Sequence, residues 1–117
     1  MSMTLLHIAT TGTREATVIA PVGELDLGSV GRFDDAIAKA EDQDVIVDLR
    51  RVEFMDSIGL SALLRAAHAR ARNDRTLRVI AGPGCVDRLF DLTLTRSQIE
   101  FVDHTVVDAP IAELWLG

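Results

Sequence analysis

The stretch D-V-I-V-D-L, residues 44–49, constrains this chain most. Its apolar side chains run on without polar alternation, as in a short strand covered on both faces. Such a strand belongs inside a layered α/β domain, and its neighbours fit that setting. Downstream, after a connecting loop, Leu60, Leu63, Leu64, Ala67 and Ala71 recur at helical spacing, which predicts a helix over about 57–72. Ser61, Arg65, His68 and Arg72 fall on its opposite, polar face. Upstream, Val30, Phe33, Ile37 and Ala40 mark the buried side of a helix at about 29–41, with Ser29 as its expected cap.

The remaining segments complete an alternating order. T-L-L-H-I-A-T (4–10) and R-E-A-T-V-I-A-P-V (14–22) read as strands joined through T-G-T, a β-hairpin. Pro21 suggests the end or edge of the second. T-L-R-V-I-A (76–81) is a further strand ended by G-P-G. Val86, Leu89, Phe90 and Thr93 describe a short third helix, and I-E-F-V (99–102) a last strand. D-A-P-I-A-E-L-W-L-G reads as a closing helix, with Asp108 near its cap and Ile111, Leu114 and Trp115 buried. The expected order is β-β-α-β-α-β-α-β-α: a mixed, mainly parallel sheet opened by one antiparallel hairpin and packed with about four helices. No repeat or linker divides residues 1–117, which read as one domain.

Composition narrows the function. With 48% apolar and 26% charged residues the chain suits a folded globular protein, and no apolar run approaches the length of a membrane span. Twelve basic against eighteen acidic residues give a net charge of −6, which argues against nucleic-acid binding. Arg65, Arg70, Arg72, Arg75 and Arg78 gather near the end of the 57–72 helix, where cations complement its dipole. One cysteine, Cys85, excludes an internal disulfide and agrees with a reducing compartment; with no signal peptide at the amino terminus, a cytoplasmic location is expected. Three scattered histidines and one cysteine offer no metal-ligand cluster, and no phosphate-cradling glycine loop is present, so no metal or cofactor is expected.

The informative position is Ser57, at the junction before the 57–72 helix. Three roles compete for it. As a nucleophile it would need G-x-S-x-G, but the chain reads M-D-S-I-G. His68 lies eleven residues along the same helix, a rise of about 16 Å, beyond reach of the serine. As a cap, its hydroxyl or the Asp56 carboxylate would accept a backbone N–H bond worth about 1 kcal/mol. As a phosphate acceptor it would sit at a helix amino terminus, where N–H donors and the dipole favour an anion. The added charge would change the surface rather than unfold the domain.

F-M-D-S-I-G-L-S-A-L-L resembles the D-S-[ST]-G-L signature of the anti-sigma factor antagonists, small proteins of the STAS domain family. V-G-E-L-D-L-G-S-V (22–30) resembles the family's G-E-L-D loop, and V-D-R-L-F-D-L-T (86–93) its third helix; the likeness covers nearly the whole chain. The resemblance implies a binding protein rather than an enzyme. Its partner would be an anti-sigma factor with a histidine-kinase-like ATPase domain, and binding would free a sigma factor for transcription. That kinase would phosphorylate Ser57 to end binding, and a serine phosphatase would restore it. Asp26, Asp56, Ser57, Ile58, Gly59 and Leu60 would form the contact surface. A STAS scaffold subunit of a sensory or lipid-transport complex, without a phospho-switch, is the alternative. Two departures stand out: Ile58 replaces the family's second hydroxyl residue, and Leu94 stands where glycine often closes the third helix. Nothing in the sequence sets an oligomeric state.

Overall fold

The computed structural model describes residues 6–12 and 16–108. Strands β1 (Leu6–Gly12) and β2 (Thr17–Leu25) form the expected antiparallel hairpin, with Leu6 opposite Gly23 and Gly12 opposite Thr17. Helix α1 (Val30–Lys39) follows, then β3 (Val45–Asp48), β4 (Val52–Met55), α2 (Ser57–Arg72), β5 (Leu77–Ile80), α3 (Gly84–Leu92) and β6 (Glu100–Val102). Single 3₁₀ turns lie at Arg96–Gln98 and His104–Val106. The sheet order is β1-β2-β3-β5-β6, with β4 paired to β2; every pair except β1–β2 is parallel. The class and the hairpin therefore match the sequence reading. The expected closing helix falls on 109–117, outside the described residues.

The loop expected between 49 and 57 contains a strand instead. In β4 the buried residues Val52 and Met55 flank exposed Glu53 and Phe54, so the period-2 signal is absent. What makes the segment a strand is its partner: Val52 pairs with Gly23, Phe54 with Glu24 and Met55 with Leu25. A bulge separates Gly23 from Glu24, and Gly23 takes φ 114°, a conformation that favours glycine. β2 is correspondingly shifted three residues beyond the expected 14–22, and Pro21 lies inside it rather than at its end. β2 pairs with β3 up to Ile19 and with β4 from Gly23, so Pro21 sits in the gap between two parallel partners, where that side demands no N–H.

The helices pack on one face of the sheet. Ile19, Val45, Val47, Leu49, Val52, Leu77 and Val79 meet Phe33, Leu60, Leu63, Val86 and Phe90 there. Phe90 stands edge-on to Phe101, ring centres 5.1 Å apart, with the Arg96 guanidinium over both rings. The apolar stripe of α2 is rotated from the expected one: Ala62, Ala66 and Arg70 are buried with Leu60 and Leu63, while Ala71 is exposed. Arg70 lies on the buried side. Its guanidinium donates to the carbonyls of Ala40 (2.7 Å), Ile37 (3.2 Å) and Gln43, so it closes the carboxyl end of α1 besides complementing the dipole of its own helix.

Candidate functional site

The site grows from the way β2, β4 and α2 end and begin together. Leu25 closes β2 beside Met55, the last residue of β4, and its carbonyl accepts the Asp56 N–H at 3.4 Å. Helix α2 then starts hard against the same strand. A Cβ placed on Gly59 would stand 2.3 Å from the Leu25 carbonyl oxygen, so only glycine allows this approach. The contact holds the first turn of α2 next to the loop that begins at Asp26.

Asp56, not Ser57, caps the helix. Its backbone is extended (φ −103°, ψ −174°), and its Oδ1 accepts the N–H groups of Ile58 and Gly59, both at 3.0 Å. Its carbonyl accepts the Leu60 N–H at 3.0 Å. Ser57 is the first residue inside the helix; it is exposed, and its hydroxyl bonds to no described residue. The capping role expected of Ser57 thus passes to its neighbour, because an extended residue aims its side chain back at the first turn whereas a helical one points outward. The free amino-terminal donors expected to greet a phosphate are also largely engaged, two of them by the Asp56 carboxylate.

The facing loop is held by an internal network. Asp26 Oδ1 accepts the Gly28 N–H at 3.0 Å, and its carbonyl accepts from Ser29 and Val30 at the start of α1. Buried Ser29 does not cap α1 with its side chain, contrary to expectation. Its hydroxyl donates to the Glu24 carbonyl at 2.6 Å and accepts the Asp26 N–H at 3.1 Å, which ties the loop to β2. Asp26 and Asp56 are half-buried, each following directly on one of the paired strand ends.

Of the six residues expected to meet a partner, Ser57 and Ile58 are exposed and Asp26 and Asp56 partly so. Gly59 and Leu60 are buried, Leu60 in the main core, so they shape the site from beneath. Two further large apolar residues next to the paired strand ends in sequence are exposed, Leu27 at 74% and Phe54 at 48%, as is Ile58 at 40%. Leu27 directly follows the G-E-L-D residues and was within reach of sequence reasoning, but Phe54 could not be found while β4 was read as a loop. His104 bonds Asp108 at 3.0 Å.

Comparison with known proteins agrees with the fold. A family model described as the STAS domain matches residues 7–109. An anti-sigma-B factor antagonist of Staphylococcus aureus is 26% identical over 106 residues, covering 88% of this chain and 98% of its own. An anti-sigma factor antagonist from Mycobacterium paratuberculosis superposes with a TM-score of 0.75 at 18% identity, covering 96% of this chain and 92% of its own. SpoIIAA, an anti-sigma factor antagonist solved unphosphorylated, superposes with a TM-score of 0.70 at 20% identity, covering 93% and 97%. The phosphorylated SpoIIAA of Bacillus gives 0.64 at 21%, covering 87% and 95%.

Proposed function

The chain belongs to the STAS domain family, and on that premise we propose that it is an anti-sigma factor antagonist switched by phosphate on Ser57. The observation that carries the proposal is the exposed Ser57 hydroxyl, unused by the helix cap, between the half-buried capping Asp56 and the exposed Ile58 at the start of α2. The names of the S. aureus relative and of SpoIIAA support the same reading. Unphosphorylated, this surface docks on an anti-sigma factor with a histidine-kinase-like ATPase domain, and the sigma factor is released. The kinase transfers the terminal phosphoryl group of ATP to Ser57 Oγ, and a serine phosphatase later removes it.

The geometry favours a switch by charge over a switch by refolding. Because Asp56 engages the Ile58 and Gly59 N–H groups, a phosphate on Ser57 gains little from the backbone and projects outward. It adds about −1.5 to −2 charges next to the Asp56 carboxylate. Two unit charges 4 Å apart at an effective dielectric of 20 repel by about 4 kcal/mol, roughly a thousandfold in affinity. One acidic group of the partner at the docking surface is therefore enough to end binding. Ile58 supplies apolar contact where the family more often has a hydroxyl, and so contributes to the choice of kinase.

The test is a Ser57→Asp variant measured for binding to the kinase-type partner that co-purifies with the unsubstituted protein. The proposal expects at least a tenfold loss, about 1.4 kcal/mol. Unchanged binding would assign the surface to a permanent scaffold interface.

A further inference from the structure

Strand β1 is an edge of the sheet: it pairs with β2 on one side and, among the described residues, with no strand on the other. Two backbone bonds fix which of its residues face the open side. Opposite Leu6, the Gly23 N–H donates to the Arg51 carbonyl, and opposite Gly12, the Thr17 N–H donates to that of Asp44. Both bonds lead away from β1. In an antiparallel ladder such opposed residues exchange no bonds, and bonded and unbonded pairs alternate. Leu6, Ile8, Thr10 and Gly12 therefore turn their N–H and C=O groups outward, while His7, Ala9 and Thr11 bond β2. Pro21, with no N–H to give, stands opposite Ile8 and obeys the same alternation. Among the described residues the Leu6 carbonyl is the outward group with a side-chain partner, the Arg32 guanidinium at 2.9 Å. Exposed edges are usually blunted by proline or by charge, and β1, L-H-I-A-T-T-G, holds no proline, lysine, arginine or carboxylate.

Beside this edge a groove of about 630 Å³ runs between β1 and α1. Leu6, Ile8, Ala36 and Ala40 give it an apolar floor. Arg32 and Lys39, both exposed on α1, bring cations to its wall, against one lining carboxylate, Asp35. Among the described residues neither cation forms a salt bridge. The wall is thus net positive on a chain of net charge −6. We propose that the groove receives an extended acidic segment of a partner protein, added to the sheet as a further strand beside β1. Main-chain bonds to Ile8, Thr10 and Gly12 hold it, and every second side chain faces α1, where a carboxylate meets Arg32 and Lys39. Charge selects this occupant over a second copy of the chain. A continuous sheet made from two β1 edges would set the two α1 helices, with the same cations, against each other, and each chain carries −6. None of the groove's lining residues belongs to the Ser57 surface, so the proposal stands apart from the phosphate switch.

The probe is an end-blocked peptide, T-E-T-E-T-E-T, with T-K-T-K-T-K-T as its counterpart, each titrated into the full-length protein and followed by amide NMR. In the free protein the N–H groups of Ile8, Thr10 and Gly12 should exchange fast, and those of His7, Ala9 and Thr11 slowly. The acidic peptide should slow the first three about tenfold or more, and should bind about tenfold more tightly than the basic one. Lys39→Glu, at an exposed position, should abolish that preference. Thr10→Pro removes an outward N–H without taking a bond from the β1–β2 ladder, and should weaken the acidic peptide about tenfold. If Thr10→Pro does not fold, Lys39→Glu decides. Equal binding of the two peptides, or no binding at millimolar concentration, would overturn the proposal. So would shifts confined to α2, or slow exchange at Ile8 and Thr10 already in the free protein; slow exchange that is lost on dilution would identify a second copy as the occupant.

Discussion

At the scale of the residue, the junction before α2 turns on which of two adjacent side chains caps the helix. Asp56 and Ser57 are both favoured cap residues, so the sequence locates the helix start without choosing between them. Backbone geometry chooses, because Asp56 is extended and Ser57 already helical. Asp56→Ala should therefore cost about 1–2 kcal/mol, since Ile58 and Gly59 both lose their acceptor, while Ser57→Ala should stay within about 0.5 kcal/mol. Urea unfolding of the two variants checks this, and the reverse ranking would return the capping role to the serine. Leu94 is a second local conflict. The sequence flags it as lacking the easy left-handed cap, and it nevertheless takes φ 58° with its side chain 85% exposed. Leu94→Gly removes a left-handed penalty of about 1–2 kcal/mol without losing packing, so its unfolding midpoint should rise.

At the scale of the element, legibility followed how much each segment's own pattern decides. α1 and α3 carry enough apolar periodicity to be placed within a residue or two. β4 does not, because four residues with buried ends and an exposed middle have no period, and their strand conformation comes from pairing with the far end of β2. The stripe of α2 was misplaced for a different reason: an arginine on a polar helix is read as solvated, and nothing local reveals that Arg70 serves the carbonyls of α1. Arg70→Leu should destabilise by about 2–3 kcal/mol, the cost of leaving buried carbonyls without a charged donor. Gly59→Ala should cost about 1–3 kcal/mol by pushing α2 off the Leu25 carbonyl. It should also weaken partner binding, because the Ser57 turn moves with the helix.

At the scale of the whole molecule, the layered class was readable because D-V-I-V-D-L demands cover on two sides, and the resemblance of the motifs at 22–30 and 54–64 pointed to the family that the comparison supports. The split of β2 between two parallel partners was not readable, since it depends on contacts across the sheet. The surface charge of the fold has a consequence for acid stability. Asp108 is held below its ordinary value of 3.8 chiefly by Arg50, Asp91 by Arg96, and Asp44 and Asp103 by backbone N–H groups of Thr76 and Thr105. A carboxyl whose folded pKa is depressed binds protons more readily when unfolded, so its stabilisation is full above that ordinary value and is lost as pH falls through the folded value. The urea midpoint should thus be flat from about pH 7 to about pH 5 and decline below about pH 4.

The central claim is that phosphate on Ser57 ends a protein–protein contact made by an otherwise unchanged fold. The most direct test is to recover the protein from its own cells, separate complexed from free pools, and map phosphate on each by intact mass and peptide sequencing. The account predicts unmodified Ser57 in the pool bound to an ATPase-type kinase and phosphorylated Ser57 in the free pool. A stable kinase complex carrying stoichiometric phosphate on Ser57 would contradict it.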